Sequence, residues 1–451
     1  METLETRYQK ALDYIYSFVD YSRTHHDQLT QDDFSLDRMQ AFVREIGSPA
    51  DDFPILHIAG SKGKGSVSAL CASALQAAGL RVGLYTSPHL KDFEERMQVS
   101  GRPIPRRDLV YLLDEVKPAI ESLPYLTTFE IMTGLALLFF SRREVDIAVV
   151  EVGLGGRLDS TNVVSPILTV ITALFLDHTS ILGDTIQEIA REKGGIIKPG
   201  VPVIVAPQEK EAAKRTLQEI AARQDAPLHF VDREYQYQIE QVSLEGQFFQ
   251  VLPSQHERGK PETFSIPLLG SYQVDNAVTA YAALQELQER GFSLSSQDIR
   301  SGFQEVDWPG RFEVLRSELP VIVDSAHNPA SCRYLRRTVD QFFPDHPGIL
   351  IFGISADKQL EGMLDELLPR MEAVITTHAD HPRAMEAEAL AEIISRRGKP
   401  VESISSVKDA LKRGLSWAGE DHLILITGSI FVAASARIAW EEMEDDPQGK
   451  A

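Results

Sequence analysis

A chain of 451 residues exceeds what one ordinary hydrophobic core organises, so two domains, or three, are expected. Its 45 lysines and arginines against 66 aspartates and glutamates leave a formal net charge of −21. That balance argues against nucleic acid or an anionic membrane as a partner, but not against small anionic substrates met by local positive charge. With 43% hydrophobic and 25% charged residues the composition is that of a soluble globular protein. Cys71 and Cys332 make no disulfide framework or metal-binding pair, which fits a reducing cytoplasm. Residues 1–7 are charged and lack a signal-peptide core, and the longest apolar run, 131–140, has the length of a buried helix rather than a membrane span.

In chain order, amphipathic helices are expected over 8–19, with Leu12, Ile15, Tyr16 and Val19 on one face, and over 36–46, stopped by Gly47. An apolar run at 55–59 reads as a buried strand within His57-Ile58-Ala59-Gly60-Ser61-Lys62-Gly63-Lys64-Gly65-Ser66, and a helical pattern covers 67–78. Strand, glycine-rich turn and helix N-terminus make an anion cradle, because backbone N–H groups and the helix dipole converge there. Lys64 suits outer phosphates and the Ser66 hydroxyl suits Mg²⁺. The spacing is GxxGKGS, since Ile58 stands where the common phosphate loop has its first glycine. A strand over 81–86 ends at Ser87-Pro88-His89-Leu90, and 91–106 reads as a long loop. Helices over 107–121 and 128–141 precede the apolar strand 145–152, the pattern of a parallel strand covered on both faces. Strands over 168–172 and 201–205 flank a helix over 185–192, so the first half is α/β with a parallel sheet.

Residues 236–251 alternate like a hairpin, and helices are expected over 272–290 and 296–304. Asp307-Trp308-Pro309-Gly310 breaks the pattern, placing a boundary between domains 1–306 and 307–451. Strand and helix then alternate again: strands over 321–324, 349–353, 373–377 and 423–427, and helices over 330–342, 360–369, 386–396, 407–418 and 431–442. This is a second, smaller doubly wound domain with a frayed acidic end over 441–451.

Several polar groups fall at strand ends. Glu151 follows the apolar strand and precedes Gly153-Leu154-Gly155-Gly156-Arg157, well placed to hold Mg²⁺ beside the phosphate loop or merely to cap a turn. Asp177-His178-Thr179 follows another strand, and by spacing alone a ligand and a structural role are equally open. The run from Arg191 to Lys198 reads as the basic end of a helix. Arg311, in Trp308-Pro309-Gly310-Arg311, suits a phosphate clamp across the domains or a hinge. Asp324-Ser325-Ala326-His327-Asn328-Pro329 is a strand-to-helix turn in which Asn328 or Ser325 can cap the helix.

Taken in order, these motifs resemble the folylpolyglutamate synthase/dihydrofolate synthase family within the Mur ligase superfamily. The set runs from Gly60–Ser66 through Tyr85–Leu90, Phe129-Glu130, Glu151–Asp159, Leu176–Thr179, Glu192–Lys198, Gln273 with Asn276, and Trp308–Arg311 to Asp324–Pro329. The Ser-Pro-His-Leu loop separates this family from the cell-wall ligases. The resemblance implies an N-terminal ATPase domain with a phosphate loop on a parallel sheet, and a smaller C-terminal Rossmann-like α/β domain. It implies ATP-dependent, ADP-forming addition of L-glutamate to a folate through an acyl phosphate. Carried over residue by residue, Gly60, Ser61, Lys62, Gly63, Lys64, Gly65 and Ser66 contact the nucleotide, with Lys64 on the β- and γ-phosphates. Asn276, Arg311, Asp324 and His327 are further ATP contacts. Ser87 and Glu151 hold one Mg²⁺ and His178 a second, with the need for a monovalent cation left open. Lys193 matches a lysine that is carbamylated in the family, which turns that cation into an anion. Lys64, Lys193 and His178 are the expected catalytic residues, and Phe129 and Asp159 the expected pterin contacts.

Three positions depart from the family pattern: Ser325 where glycine is usual, Tyr272 where histidine is common, and Phe175, which replaces a small residue and reshapes the cleft. The expected setting is a cytoplasmic monomer acting on folate, L-glutamate and ATP, without nucleic acid or membrane. Two alternatives stand beside it: a Mur-type amino-acid ligase for a cell-wall precursor, and a catalytically inactive nucleotide-binding protein.

Overall fold

Strand β1 (Ile55–Ala59) is buried along its whole length, and the largest sheet grows from it on both sides. In chain order its other strands are β2 (Val82–Tyr85), β3 (Met97–Val99), β4 (Arg102–Pro103), β5 (Ile147–Glu151), β6 (Leu168–Ile171), β7 (Val203–Val205) and β8 (Leu228–Phe230). The spatial order is β4-β3-β2-β5-β1-β6-β7-β8, parallel except for the β2–β3–β4 edge. The computed structural model describes residues 2–20, 35–123, 125–254, 260–419 and 421–444. Alternate residues divide between two cores. Leu56 and Ile58 pack with helices Lys64–Ala77, Ser271–Glu289 and Ser296–Glu305 on one face. Ile55, Ala148 and Val150 pack with helices Leu36–Glu45, Arg106–Ser122 and Thr128–Arg142 on the other. Because both faces are covered, the central parallel strands are mostly apolar instead of alternating with polar residues, His57, Thr169 and the terminal Glu151 excepted.

Strands β9 (Tyr235–Ser243), β10 (Gly246–Pro253) and β11 (Glu262–Ile266) form an antiparallel sheet in the order β11-β10-β9. The expected hairpin is thus completed by a third strand, and its apolar face closes over the first core through Phe249, Val251, Phe264 and Ile266. The third sheet, β12-β13-β17-β14-β15-β16, comprises β12 (Glu313–Arg316), β13 (Val321–Val323), β14 (Gly348–Phe352), β15 (Met371–Thr376), β16 (Val401–Ser403) and β17 (Leu423–Thr427). Only β12 runs antiparallel to its neighbour. Again alternate residues serve two cores, Leu350 and Phe352 on one face and Ile349 and Ile351 on the other.

Four expectations are corrected. Residues 91–106 are an ordered edge rather than a long loop: a turn at Phe93–Arg96 leads into the β3–β4 hairpin, because Phe93, Met97 and Ile104 are buried and Asp92 with Glu95 caps the turn. The edge strands β12 and β16, not expected from sequence, are half-buried at every residue and lack the alternation that marks a strand. The acidic end begins as helix, Ile430–Glu444, in which Glu441 pairs with Lys91 at 2.7 Å; residues 445–451 lie outside the described residues. Helix Glu211–Arg223 was likewise not expected. No helix among the described residues is long and apolar enough to cross a membrane.

Candidate active site

The phosphate loop is shaped by the backbone that follows β6. Ser61 and Lys62 donate their N–H groups to the Ala173 carbonyl at 3.0 and 3.1 Å, and Thr172 Oγ1 donates to the Lys62 carbonyl at 2.7 Å. A Cβ at Gly60 would lie 1.8 Å from Thr172 Oγ1, so the close approach requires glycine. Gly63 has φ +88° where it precedes helix Lys64–Ala77, and a Cβ there would meet Asn276 Oδ1 at 2.2 Å. Asn276 is held in turn, its Nδ2 donating to Gln273 Oε1 at 2.9 Å. Gly60, Gly63, Gly65, Ser66 and Asn276 therefore meet around one helix N-terminus, a seat for an anion.

Glu151 ends β5 next to this seat. Lys64 Nζ lies 3.9 Å from its Oε1, and the Ser87 N–H donates to its Oε2 at 3.4 Å. Burial pushes the Glu151 carboxyl up to about 7, against the pull of Lys64, the Ser87 N–H and Arg311. Among the described residues no three His, Cys, Asp or Glu side chains lie together as a complete metal site. Mg²⁺ takes one or two protein oxygens and completes its shell with water and phosphate. A buried carboxylate beside the Ser87 turn, next to an anion seat, is a donor set that fits it.

Asp177 joins the two halves of the molecule. It is buried, and its carboxylate receives Lys62 Nζ at 2.9 Å and Asn328 Nδ2 at 3.0 Å, with Lys358 Nζ at 3.5 Å. Burial alone would raise its pKa, but Lys62, His178 and Lys358 hold it well below the usual carboxylate range. His327 is fixed by its Nδ1, 2.9 Å from the Ser325 carbonyl, which makes Nδ1 the protonated nitrogen. Nε2 then accepts from Lys62 Nζ at 2.8 Å. Burial and Lys62 lower His327 to about 4, so its ring is neutral at physiological pH. Lys62, expected on the nucleotide, is thus engaged with Asp177 and His327. His178 stands at the edge of the same cluster with φ +52°, its Nε2 3.7 Å from Asp177 Oδ1.

Lys193 lies buried at the end of helix Ile186–Gly194. Burial, then repulsion from Lys64, lowers it to about 7. Asp324 accepts the N–H groups of Phe312 (2.8 Å) and Ala326 (2.7 Å), so it shapes the turns that carry Arg311 and His327. Arg311 donates to the Gly310 carbonyl at 3.0 Å. The departures from the family pattern are accommodated. Ser325 Oγ donates to the Gly310 carbonyl at 2.9 Å, and Phe175 and Tyr272 pack their rings against Tyr334 at 6.1 and 5.5 Å.

A cavity of about 530 Å³ opens between the halves. Ser87, His178, His327 and Lys358 border it, as do Phe129 and Asp159. The Phe129 ring lies so close over Gly153 that a Cβ there would be 2.5 Å from it, leaving one flat apolar wall. Asp159 is buried beside that wall and accepts from the Leu154 N–H at 2.8 Å and from the Thr161 N–H at 3.0 Å. An aromatic platform beside a carboxylate acceptor suits a planar heterocycle carrying N–H donors. From sequence alone Asp177 and Asn328 have no assigned role across the cleft, and Lys358 is not singled out. Its position just beyond β14, at the carboxyl edge of a parallel sheet, is the signal that would have found it.

Two family models match the chain: the Mur ligase middle domain over residues 58–284, and the Mur ligase glutamate ligase domain over residues 310–430. The dihydrofolate synthase/folylpolyglutamate synthase of Bacillus subtilis is 35% identical over 409 residues, covering 89% of this chain and 94% of that one. The chain belongs to the folylpolyglutamate synthase/dihydrofolate synthase family of Mur ligases. Crystal structures of a member of that family, Mycobacterium tuberculosis folylpolyglutamate synthase complexed with ADP and AMPPCP, match at a TM-score of 0.86 and 31% identity, over 97% of this chain and 99% of that one. A protein of Haloferax volcanii named "Probable bifunctional folylpolyglutamate synthase/dihydropteroate synthase" is 34% identical over 89% of this chain, and there the chain spans 48% of the relative's length. The family fold, a parallel-sheet domain followed by a second α/β domain, is the one described above.

Proposed function

We propose that this chain is an ATP-dependent, ADP-forming ligase that joins L-glutamate to a folate. One observation carries the reading: the Phe129–Asp159 wall, Ser87 and His178 border one cavity with His327 and Lys358 of the other half, and the Ser87 N–H at its edge donates to Glu151, which lies beside Lys64 of the phosphate loop. The phosphate loop and Lys64 hold the nucleotide, with Asn276 and Arg311 at its margins. A carboxylate oxygen of the folate attacks the γ-phosphorus, ADP leaves, and an acyl phosphate forms. The glutamate amine then attacks the acyl carbon, phosphate departs with the C–O bonding pair, and the amine sheds its proton. A free carboxylate is a poor acyl donor, so the protein's task is to position the partners and balance charge. Ser87 with Glu151 would hold one Mg²⁺ and His178 a second, and these ions would supply neutralisation of phosphate charge. Lys193, neutral above about pH 7, adds CO₂ with loss of a proton and becomes a carbamate. Residues 1–306 form the ATP- and folate-binding domain and 307–451 the glutamate ligase domain. The chain acts as a monomer in the cytoplasm, on small molecules alone.

The test is phosphate release by purified protein with ATP, Mg²⁺ and L-glutamate, with dihydropteroate and tetrahydrofolate offered separately. Release with both marks a bifunctional synthase; release with tetrahydrofolate alone marks a dedicated polyglutamate synthase. No release with either, beside intact ATP binding, would sink the folate reading and turn attention to muramoyl acceptors or an inactive site.

A further inference from the structure

One polar side chain of the buried strand β1 has no part in the phosphate chemistry. His57 is fully buried, and its Nε2 lies 2.9 Å from Thr161 Oγ1. Thr161, also fully buried, donates that hydroxyl to Asp159 Oδ1 at 2.5 Å. His57 Nδ1 has no hydrogen-bond partner among the described residues.

The polarity of this chain follows from counting protons. Asp159 as a carboxylate only accepts, so the single Thr161 hydroxyl proton is committed to it. Thr161 Oγ1 must then accept from His57, which places the imidazole proton on Nε2 and leaves a bare lone pair at Nδ1. The opposite polarity would leave a buried Nδ1–H with no acceptor, the costlier arrangement of the two. Burial, then the positive charge of Lys198, keeps the ring neutral, pushing it down to about 3, so Nε2–H stays a donor and never brings a full charge. The short turn Ser160–Val163 that carries Thr161 is pinned at its other end, where Lys198 Nζ donates to the Asn162 carbonyl at 3.0 Å. Asp159 is thus held on Oδ1 by the Thr161 N–H and hydroxyl and on Oδ2 by the Leu154 N–H, and it borders the cavity beside Phe129.

We infer that His57 is a positioning residue for the acceptor: through the Thr161 hydroxyl it fixes Asp159 as an oriented hydrogen-bond acceptor for the N–H edge of the folate's heterocycle. The inference rests on the folate reading above and deepens it, because it assigns acceptor recognition to a side chain that lies beneath the cavity wall and does not itself border the cavity. It also separates the two uses of β1: the backbone beyond Ala59 serves the nucleotide, and the His57 side chain serves the heterocycle.

The experiment compares four single variants and one double variant with the wild type by steady-state phosphate release, measuring KM for ATP and for whichever acceptor, dihydropteroate or tetrahydrofolate, supports release, with thermal denaturation to check folding. His57→Leu and Thr161→Val each break the relay; His57→Gln keeps a donor at the place of Nε2, and Thr161→Ser keeps the hydroxyl. The expected result is an acceptor KM raised about tenfold in His57→Leu and in Thr161→Val, with the ATP KM within about twofold of wild type. His57→Gln and Thr161→Ser return most of that loss, and His57→Leu/Thr161→Val together cost no more than either alone, since both cut the same chain. Acceptor and ATP KM moving together, or the conservative variants proving no better than the apolar ones, would overturn the relay while leaving the folate reading intact. A wild-type protein that releases no phosphate with any folate acceptor would overturn the folate reading and the relay with it.

Discussion

Lys64, Glu151 and Lys193 lie near the phosphate seat, and burial sets the proton affinity of the last two. Removing the Lys64 ammonium takes away a charge aimed at transferring phosphate, so Lys64→Ala should lower kcat/KM at least about 100-fold, measured by phosphate release. The signs of the pH dependence agree. Glu151 must lose its proton to act as a metal ligand, and burial delays that loss to about pH 7. Lys193 must lose its proton to add CO₂, and burial advances that loss to about pH 7. Both productive forms lie above this value, so activity should fall as pH drops below it. Stripping dissolved CO₂ should lower activity and added bicarbonate restore it; a rate indifferent to bicarbonate would remove carbamylation from the account.

The helices around the phosphate loop pack closely enough that backbone, not side chain, limits them. A Cβ at Gly302 would lie 2.3 Å from Ala74 Cα, where helix Ser296–Glu305 crosses helix Lys64–Ala77. A backbone neighbour cannot rotate away, so Gly302→Ala should destabilise by about 2 kcal/mol, read from urea denaturation, while nucleotide affinity changes little once the protein is folded. Gly63→Ala combines a left-handed backbone with the clash on Asn276 Oδ1, and here ATP affinity should fall more than stability, measured by calorimetric titration. These helices were legible from 3.6-residue periodicity and glycine stops. The β3–β4 edge was not, because its order comes from Phe93, Met97 and Ile104 fitting a core built by distant residues.

The two halves meet through ion pairs of unequal weight. Asp177 is shielded and answers Lys62 and Lys358 from opposite sides of the cleft. Asp177→Asn keeps the shape but leaves those two cations facing each other in a poorly hydrated space. Solution scattering should then show a larger radius of gyration, and the KM for ATP should rise at least about tenfold. Lys91 and Glu441 also bridge the halves at 2.7 Å, but both are open to water, and Lys91→Ala should change neither quantity measurably.

The sequence by itself determined the alternation of apolar strands and helices, the phosphate seat and the order of the motifs along the chain. Those features depend on neighbours a few residues apart, where periodicity, glycine and helix-start chemistry act. Only the tertiary structure shows that Lys62, a phosphate-loop lysine in sequence, also pairs with Asp177 and His327 from distant segments. The same holds for His57, which in sequence is one polar residue in an apolar strand. Its role follows from Thr161, more than a hundred residues away, because β1 and the turn after β5 are brought together only when the sheet forms. Charge state and hydrogen-bond polarity are set by burial and by partners from distant segments, and neither is written in local sequence.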